Sequence, residues 1–252
     1  MQRYFVQLSF KGTRYHGWQV QPNALSVQEV LETTMSTFLR QKIEITGAGR
    51  TDTGVHASYY IAHFEFGNLP YDENDLVEKL NRFLPDDISF QQIRPVKADA
   101  HARFSAVNRT YQYYISRKKD PFSLETSYQY LLPLNVAAMN RAAALLLNYT
   151  DFTSFSKLHT DVKTNNCKVF EALWKEEGDK LVFTITADRF LRNMVRAIVG
   201  TLIEVGREKI SVQDFADIIE KKNRNAAGTS APPQGLFLAG IEYPEEIFLN
   251  AV

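Results

Sequence analysis

The residues with the clearest chemical potential lie in one glycine-rich segment between two strand-like stretches. Residues 47–57 read GAGRTDTGVHA, which places an acid, Asp52, and a base, Arg50, among three glycines in eight residues. Glycine tolerates positive φ angles and close backbone approach, so this density predicts a tight turn that fixes both side chains. Such a pair could act on a bound substrate. A polar turn whose Asp caps the backbone explains the same residues and stays open.

Known motifs narrow the chemistry of this segment. The glycine spacing fits neither the dinucleotide-binding GxGxxG nor a phosphate loop. Residues 52–54 spell the DTG of aspartic proteases, in which two carboxylates share one proton. No second DTG or DSG occurs, so the other carboxylate would have to come from a dimer partner. Arg50 also favours an ionised Asp52 over a shared proton, which makes a dimeric aspartic protease a remote alternative.

The composition excludes several protein classes. With 252 residues and 23% charged residues, the chain is expected to fold as one large domain or two modest ones. The single Cys167 cannot form an internal disulfide or a cysteine-based zinc site, and no HExxH or CxxC pattern occurs. The first ten residues do not resemble a signal peptide, and no apolar run is long enough to span a bilayer. These features predict a reduced, cytoplasmic, metal-free protein without membrane contact.

The hydrophobic pattern predicts strands and helices in alternation. The predicted strands alternate in polarity, whereas strands of a parallel sheet covered on both faces are continuously apolar, so the pattern favours an α+β fold with a largely antiparallel sheet. A boundary between two halves is predicted near residues 100–115. The predicted strands are 4–10, 60–66, 88–95, 111–115, 169–174, 181–187 and 236–243, and the predicted helices are 27–39, 74–84, 136–147, 191–203 and one that begins after Ser211.

The glycine-rich segment resembles the signature of the TruA family of tRNA pseudouridine synthases, usually GAGRTDAGVHA, from which it differs only at Thr53. Further blocks match this family in the same order along nearly the whole chain. Agreement at one motif arises by chance more readily than ordered agreement at several. The further blocks are residues 15–21, 26–29, 101–106, 109–113, 194–196 with Gly200, and 231–236.

The resemblance implies a fold and an activity. It implies two similar α/β halves, 1–105 and 106–252, whose mainly antiparallel sheets flank a central active-site cleft. It also implies an isomerase that needs no cofactor and acts on tRNA, at positions 38 to 40 of the anticodon stem-loop. In that reaction uracil is cleaved from C1′, rotated and rejoined through C5. The bacterial family works as a homodimer, and this organisation is expected here.

The resemblance also assigns residues. Asp52 matches the essential carboxylate and is the candidate nucleophile, although it could equally stabilise positive charge at the sugar or remove a sugar proton. Arg196 matches the arginine that pairs with this aspartate, and Tyr111 matches the active-site tyrosine that stacks on uracil. The remaining candidates for substrate binding are Arg50 for base flipping, Leu236 as a wall of the uracil pocket, and Arg103, Arg109 and Arg192 as RNA contacts.

The formal net charge of zero is unusual for a protein that binds RNA. Residues 100–119 nevertheless carry five basic residues and no acid, and residues 189–203 carry three arginines and no acid. Arg189, Arg192 and Arg196 are predicted to share one face of a helix. A basic surface balanced by acids elsewhere permits RNA binding and predicts an affinity that falls steeply with salt. A catalytically silent RNA-binding protein of the same fold remains an alternative.

The other reactive residue types favour structural roles. His56, His63 and His101 lack ligand partners at metal-site spacing, so each is predicted to be a structural or phosphate-contacting histidine. Residues 151–168 resemble a hairpin in the second half of the family, but an arginine common near position 167 is absent. An RNA contact by this hairpin is therefore not predicted.

Overall fold

The computed structural model describes residues 1–157 and 164–249. It confirms an α+β fold with mainly antiparallel strands. The strands are β1 Gln2–Phe10, β2 Thr46–Gly47, β3 His56–Phe66, β4 Ile88–Val96, β5 Asn108–Ser116, β6 Tyr128–Gln129, β7 Val169–Glu177, β8 Lys180–Ala187 and β9 Leu236–Glu242. The α-helices are α1 Val27–Leu39, α2 Glu73–Asn81, α3 Val136–Leu145, α4 Met194–Gly206 and α5 Val212–Glu220. They form two compact units, residues 1–107 with the described residues from 238 onward, and residues 108–237.

The first unit is built on β1, which pairs antiparallel with β3 on one side and with β4 on the other. Val6 in β1 lies opposite Ala62 of β3 and Ile93 of β4, and all three are buried. Helix α1 begins where the Ser26 hydroxyl accepts the backbone N–H of Glu29 at 3.3 Å, as the sequence predicts. Its buried residues recur every four positions, so one face of the helix packs on the core: Val27, Leu31, Met35 and Leu39.

The last described residues also belong to the first unit. Strand β9 begins in the second unit, and from Leu238 onward the chain lies in the first. The backbone of Phe248 bridges to Val96, and the ring of Tyr243 contacts Phe5 edge-on with 5.1 Å between centroids. The first unit is therefore assembled from both ends of the chain.

The second unit places β8 between β5 and β7 in an antiparallel sheet, with β6 parallel to β5. Helices α3, α4 and α5 contact one another within this unit. Helix α5 begins at a reciprocal capping box between Ser211 and Asp214, which confirms the predicted start. Helix α4 is buried nearly all round, and only Arg196 and Glu204 retain partial exposure.

The predicted arginine face of this helix is wrong. Helix α4 begins at Met194, so Arg189 and Arg192 lie in the non-helical residues before it. Asn193 adopts a left-handed conformation with φ of 65°, which interrupts a helix at that position. The preceding turn is fixed by Asp188, whose carboxylate accepts the backbone N–H of Arg189 at 2.7 Å. Of the three arginines only Arg196 lies on the helix.

Candidate active site

The Asp52 side chain is carried by the loop that joins β2 to β3 in the first unit. The loop turns back at Asp52, whose carbonyl accepts the N–H of Val55 at 3.2 Å. Gly54, inside this turn, has φ of 76°, a conformation that disfavours residues with a Cβ. Asp52 is half-buried and Arg50 is exposed. The sequence predicts a turn that fixes both side chains; in the structure Asp52 lies in the turn, whereas Arg50 precedes it and is exposed.

An aromatic pair holds the entry to this loop. The hydroxyl of Tyr60, a fully buried residue of β3, accepts the N–H of Gly49 at 3.3 Å and donates to the Gly49 carbonyl. The Trp18 ring stacks on Tyr60 with 4.1 Å between centroids. A Cβ at Gly47 would overlap the Tyr60 hydroxyl and the Trp18 indole, whereas Gly49 has open space where its Cβ would lie. Gly47 is thus required for close packing.

The other side of the loop rests on residues 12–17. The N–H of Gly12 donates to His56 Nδ1 at 2.9 Å, and the N–H of Gly54 donates to the Tyr15 carbonyl at 3.3 Å. Gly17 has φ of 87°, and a Cβ there would overlap the carbonyl of Thr51. Hydrogen bonds therefore hold the chain at Gly54 and His56 after Asp52, and Thr51 before it packs closely against Gly17.

Two histidines of the first unit, His63 and His101, accept backbone hydrogen bonds and have lowered pKa values. Buried His63 accepts the N–H of Ala102 at 3.1 Å through Nδ1, and burial together with nearby His101 and Arg3 lowers its pKa to about 4. The pKa of His101 is also lowered, mainly by burial, and its Nδ1 accepts the N–H of Arg103 at 3.0 Å. These histidines are therefore neutral at neutral pH and hold backbone in place.

In the second unit Tyr111 lies on β5, opposite Ile185 of β8. Its half-buried ring meets the ring of Phe190 edge-on, with 5.0 Å between centroids. Tyr113 is fully buried, as predicted, and its hydroxyl donates to the Pro232 carbonyl at 2.8 Å. Burial raises the pKa of the Tyr113 hydroxyl, so this residue stays neutral and anchors the segment that contains Pro232.

That segment also contacts Arg196. The Nε of Arg196 donates to the Ala231 carbonyl at 2.8 Å, and the N–H of Ala231 donates to the Arg196 carbonyl at 2.9 Å. Gly200, one turn further along α4, leaves room for the Thr229 carbonyl. Leu236, buried to 6% exposure, follows directly at the start of β9. Residues 229–236, which end at Leu236, thus connect Arg196 of α4 to Tyr113 of β5 within the second unit.

The candidate RNA contacts differ in exposure. Arg103 and Arg192 are exposed, whereas Arg109 is half-buried and donates from Nη1 to the Asp188 carbonyl at 3.1 Å. Residues 151–168, which resemble a hairpin of the family, lie partly outside the described residues. At their end, burial raises the pKa of the Cys167 thiol to about 12, so the sulfur stays protonated and unreactive.

Trp18, Tyr60 and Gly17 support the loop, a role that the sequence alone does not predict. Trp18 and Gly17 belong to a block that matches the TruA pattern, and Tyr60 shares the buried face of its strand. The available signal was that block, which lies more than thirty residues before Asp52. Only the fold brings the two segments together.

Comparison with known proteins identifies the family. The model of the tRNA pseudouridine synthase family matches residues 8–105 and 142–244. The chain belongs to the tRNA pseudouridine synthase family. A protein named tRNA pseudouridine synthase A from Bacteroides fragilis is 59% identical to this chain, and the match covers 98% of this chain and 99% of the relative. A protein of the same name from Porphyromonas gingivalis is 54% identical, and the match covers 99% of this chain and 100% of the relative. A relative of the same name in Exiguobacterium sibiricum is 37% identical, over 97% and 98%.

The matched ranges cover most of the candidate residues of this pseudouridine synthase. They contain Asp52, Arg196 and Leu236, whereas Tyr111 lies between the two ranges. Residues 52–54 therefore belong to a segment shared with pseudouridine synthases, which removes the basis for the aspartic protease alternative. Among the described residues, no helix is long and apolar enough to cross a membrane. In the same part of the chain, no cluster of three or more His, Cys, Asp or Glu side chains could hold a metal ion.

Proposed function

We propose that this protein isomerises uridine to pseudouridine in tRNA. The observation that carries the proposal is the Asp52 loop, a family-matched segment in which hydrogen bonds and close packing fix the backbone around a half-buried carboxylate. In the reaction the N1–C1′ bond breaks and a C1′–C5 bond forms. N1 gains a proton and C5 loses one, so substrate and product are isomers.

Asp52 is the essential carboxylate of this proposal. Breaking a glycosidic bond builds positive charge on the sugar, and an ionised carboxylate can stabilise this charge or add covalently at the reacting centre. It can also remove a sugar proton. All three routes require a deprotonated carboxylate that is held in one place, and the support of its loop on both sides limits how far the carboxylate can move. Catalysis then depends on the loop as well as on the acid.

Arg196 and Tyr111 complete the proposed catalytic set, acting on the same uridine as Asp52. By resemblance to the TruA family, Arg196 would pair with the essential aspartate. The hydrogen bond from Nε to Ala231 orients the Arg196 guanidinium. The Tyr111 ring would stack on the extruded uracil, a contact worth ~1–3 kcal/mol.

The remaining residues would bind and position the RNA. Extruding a stacked uridine costs a few kcal/mol, and Arg50, which is exposed, would fill the space that the base leaves. Leu236 would form an apolar wall of the uracil pocket. Arg103, Arg109 and Arg192 would contact phosphates, an interaction that weakens with salt.

The proposed target is the anticodon stem-loop of tRNA, at positions 38 to 40, and the proposed active form is a cytoplasmic homodimer. These finer statements rest on the resemblance of the sequence blocks to the TruA family. Mapping pseudouridine in tRNA from cells with and without the gene would test the positions. Sedimentation of the purified protein would test the dimer.

The experiment that separates an enzyme from a silent RNA-binding protein is tritium release. Because C5 loses its hydrogen in the reaction, tRNA labelled with tritium at uracil C5 releases tritium into water on each turnover. We expect the wild-type protein to release tritium in proportion to the pseudouridine formed. Tight tRNA binding without tritium release would overturn the proposed activity.

A further inference from the structure

Phe104 is a large apolar side chain held at the surface of the first unit with 75% of its area exposed. It lies in the turn formed by residues 101–105, which is closed by a hydrogen bond from the N–H of Ser105 to the His101 carbonyl at 3.0 Å. The His101 N–H donates in return to the Ser105 hydroxyl at 2.9 Å. The backbone that carries Phe104 is therefore fixed.

The ring of Phe104 has a basic and an aromatic neighbour. The His101 ring lies 4.4 Å away, centroid to centroid, and the Arg103 guanidinium lies 5.5 Å from the ring centroid. The imidazole Nδ1 of His101 accepts the N–H groups of both Arg103 and Phe104. These hydrogen bonds fix the backbone of both residues, and the Arg103 guanidinium lies over the Phe104 ring.

The turn is anchored to the core of the unit. His101 contacts the buried His63 ring edge-on at 4.7 Å, and the Ala102 N–H donates to His63. The Ala102 carbonyl accepts the Tyr243 hydroxyl at 2.5 Å. Both backbone groups of Ala102 are thus used to fix the turn that displays Phe104.

Burial does not explain this arrangement. A phenylalanine stabilises a fold when its ring leaves water, and Phe104 keeps most of its ring in water. Single exposed apolar side chains are common and need no function. Here, however, the ring stands on a turn that is closed by hydrogen bonds, and it contacts the Arg103 guanidinium and the His101 ring. An aromatic ring beside a guanidinium is the combination that binds unpaired bases of a nucleic acid.

We infer that Phe104 and Arg103 form a stacking platform for one unpaired base of the tRNA substrate, an inference that rests on the proposed function. The Phe104 face would stack on the base while the Arg103 guanidinium contacts a phosphate of the same strand. Stacking on a ring does not read the edge of the base, so the platform accepts any base and positions the RNA. Phe104 is a positioning residue and takes no part in the bond changes at the uridine.

Three variants test the platform by tRNA binding. Phe104→Ala removes the ring, Phe104→Trp keeps a larger one, and Phe83→Ala is the matched control. Phe83 is 60% exposed, also follows an arginine and also lies in the first unit, but its neighbours include Asp86 and Asp87. We expect Phe104→Ala to raise the Kd for tRNA by about 5-fold to 150-fold, which corresponds to ~1–3 kcal/mol at about 1.4 kcal/mol per factor of ten. Phe104→Trp and Phe83→Ala should bind as the wild type does.

Phe104→Trp also reports stacking directly. The natural tryptophans, Trp18 and Trp174, are buried to 3% and 2% exposure, so an indole at position 104 would dominate the tRNA-dependent change in emission. We expect tRNA to quench this emission and a fully paired RNA duplex to leave it unchanged. A merely structural role of Phe104 would produce no such quenching.

Two results would overturn the inference. One is a Phe104→Ala variant that binds tRNA as tightly as the wild type, with no quenching in Phe104→Trp. The other is a loss of binding in Phe104→Ala accompanied by a smaller sedimenting species, which would assign the ring to a contact with a second copy of the chain. Because these readouts need no turnover, they are independent of tritium release, whose absence would instead overturn the proposed isomerase.

Discussion

The most specific prediction concerns the Tyr60 hydroxyl, which lies outside the catalytic set but holds the backbone of the Asp52 loop. Tyr60→Phe removes one oxygen and leaves the ring that stacks on Trp18. The N–H and the carbonyl of Gly49 both lose their partner. The change therefore isolates the hydrogen bonds from the packing.

The magnitude follows from those two hydrogen bonds. A buried polar group left without a partner costs ~1–3 kcal/mol, and since Gly49 is half-buried, water can replace part of the loss, so we expect about 1–2 kcal/mol of lost stability. For a chain of this size that lowers Tm by roughly 2–8 °C. A shift of the reacting carboxylate by ~1 Å can cost 10²-fold in rate, so we expect kcat to fall by about 10-fold to 100-fold. The KM for tRNA should change little, because the RNA contacts remain.

Tritium release under saturating tRNA gives kcat, and thermal unfolding gives the stability of the same preparation. Tyr59→Phe is the matched control, since successive residues of a strand point to opposite faces and the Tyr59 side chain therefore points away from Gly49. The control should keep the wild-type kcat. A Tyr60→Phe variant with a wild-type kcat, or one whose only defect is a raised KM, would refute the idea that the hydrogen bonds between Tyr60 and Gly49 position Asp52.

Two further predictions concern pH and packing. Because burial lowers the pKa of His63 from 6.5 to about 4, the unfolded state binds a proton first as the pH falls, and stability is lost between about pH 6.5 and pH 4. We expect urea unfolding to show that this residue lowers the free energy of unfolding by about 2 kcal/mol between pH 7 and pH 5. The side-chain oxygen of Asn can accept the Ala102 N–H, so His63→Asn should reduce this dependence of stability on pH. An unchanged dependence in His63→Asn would contradict the assignment. Gly200→Ala should destabilise the protein by ~1–3 kcal/mol and reduce kcat, because its Cβ would overlap the Thr229 carbonyl and displace the segment bound to Arg196. Gly67→Ala, which has open space for a Cβ, is the control, and equal unfolding midpoints for the two variants would contradict this packing argument.

Much of the fold could be predicted because its local signals are strong. Alternating polarity locates β1 to within two residues and β8 to within one, and the caps at Ser26 and Ser211 mark the starts of two helices. The apolar spacing predicts that α4 begins at Leu191, three residues before its actual start at Met194. Leu191 is buried, but it lies in a turn in which its own carbonyl accepts the N–H of Met194. Spacing alone cannot distinguish a helix from a turn that buries the same side chain.

The sequence proposes which residues form the candidate site, but it does not reveal the contacts that hold the Asp52 loop in place. The glycine density around Asp52 indicates a constrained turn, and of its three glycines Gly47 and Gly54 have a geometric reason while Gly49 has open space. The Tyr60 hydroxyl bonds to Gly49, and Gly17 lies close to Thr51. Both contacts join segments that are far apart in sequence. No periodicity encodes such contacts.

The central claim is that the Asp52 carboxylate carries out the isomerisation and contributes little to binding. Asp52→Asn keeps the shape of the side chain and removes its charge, and Asp86→Asn, an exposed acid of the same unit, is the matched control. The decisive measurement is single-turnover tritium release from tRNA labelled at uracil C5, with tRNA affinity measured on the same samples. We predict no detectable release by Asp52→Asn at nearly wild-type affinity, and normal release by Asp86→Asn. Near-normal release by Asp52→Asn would contradict the account.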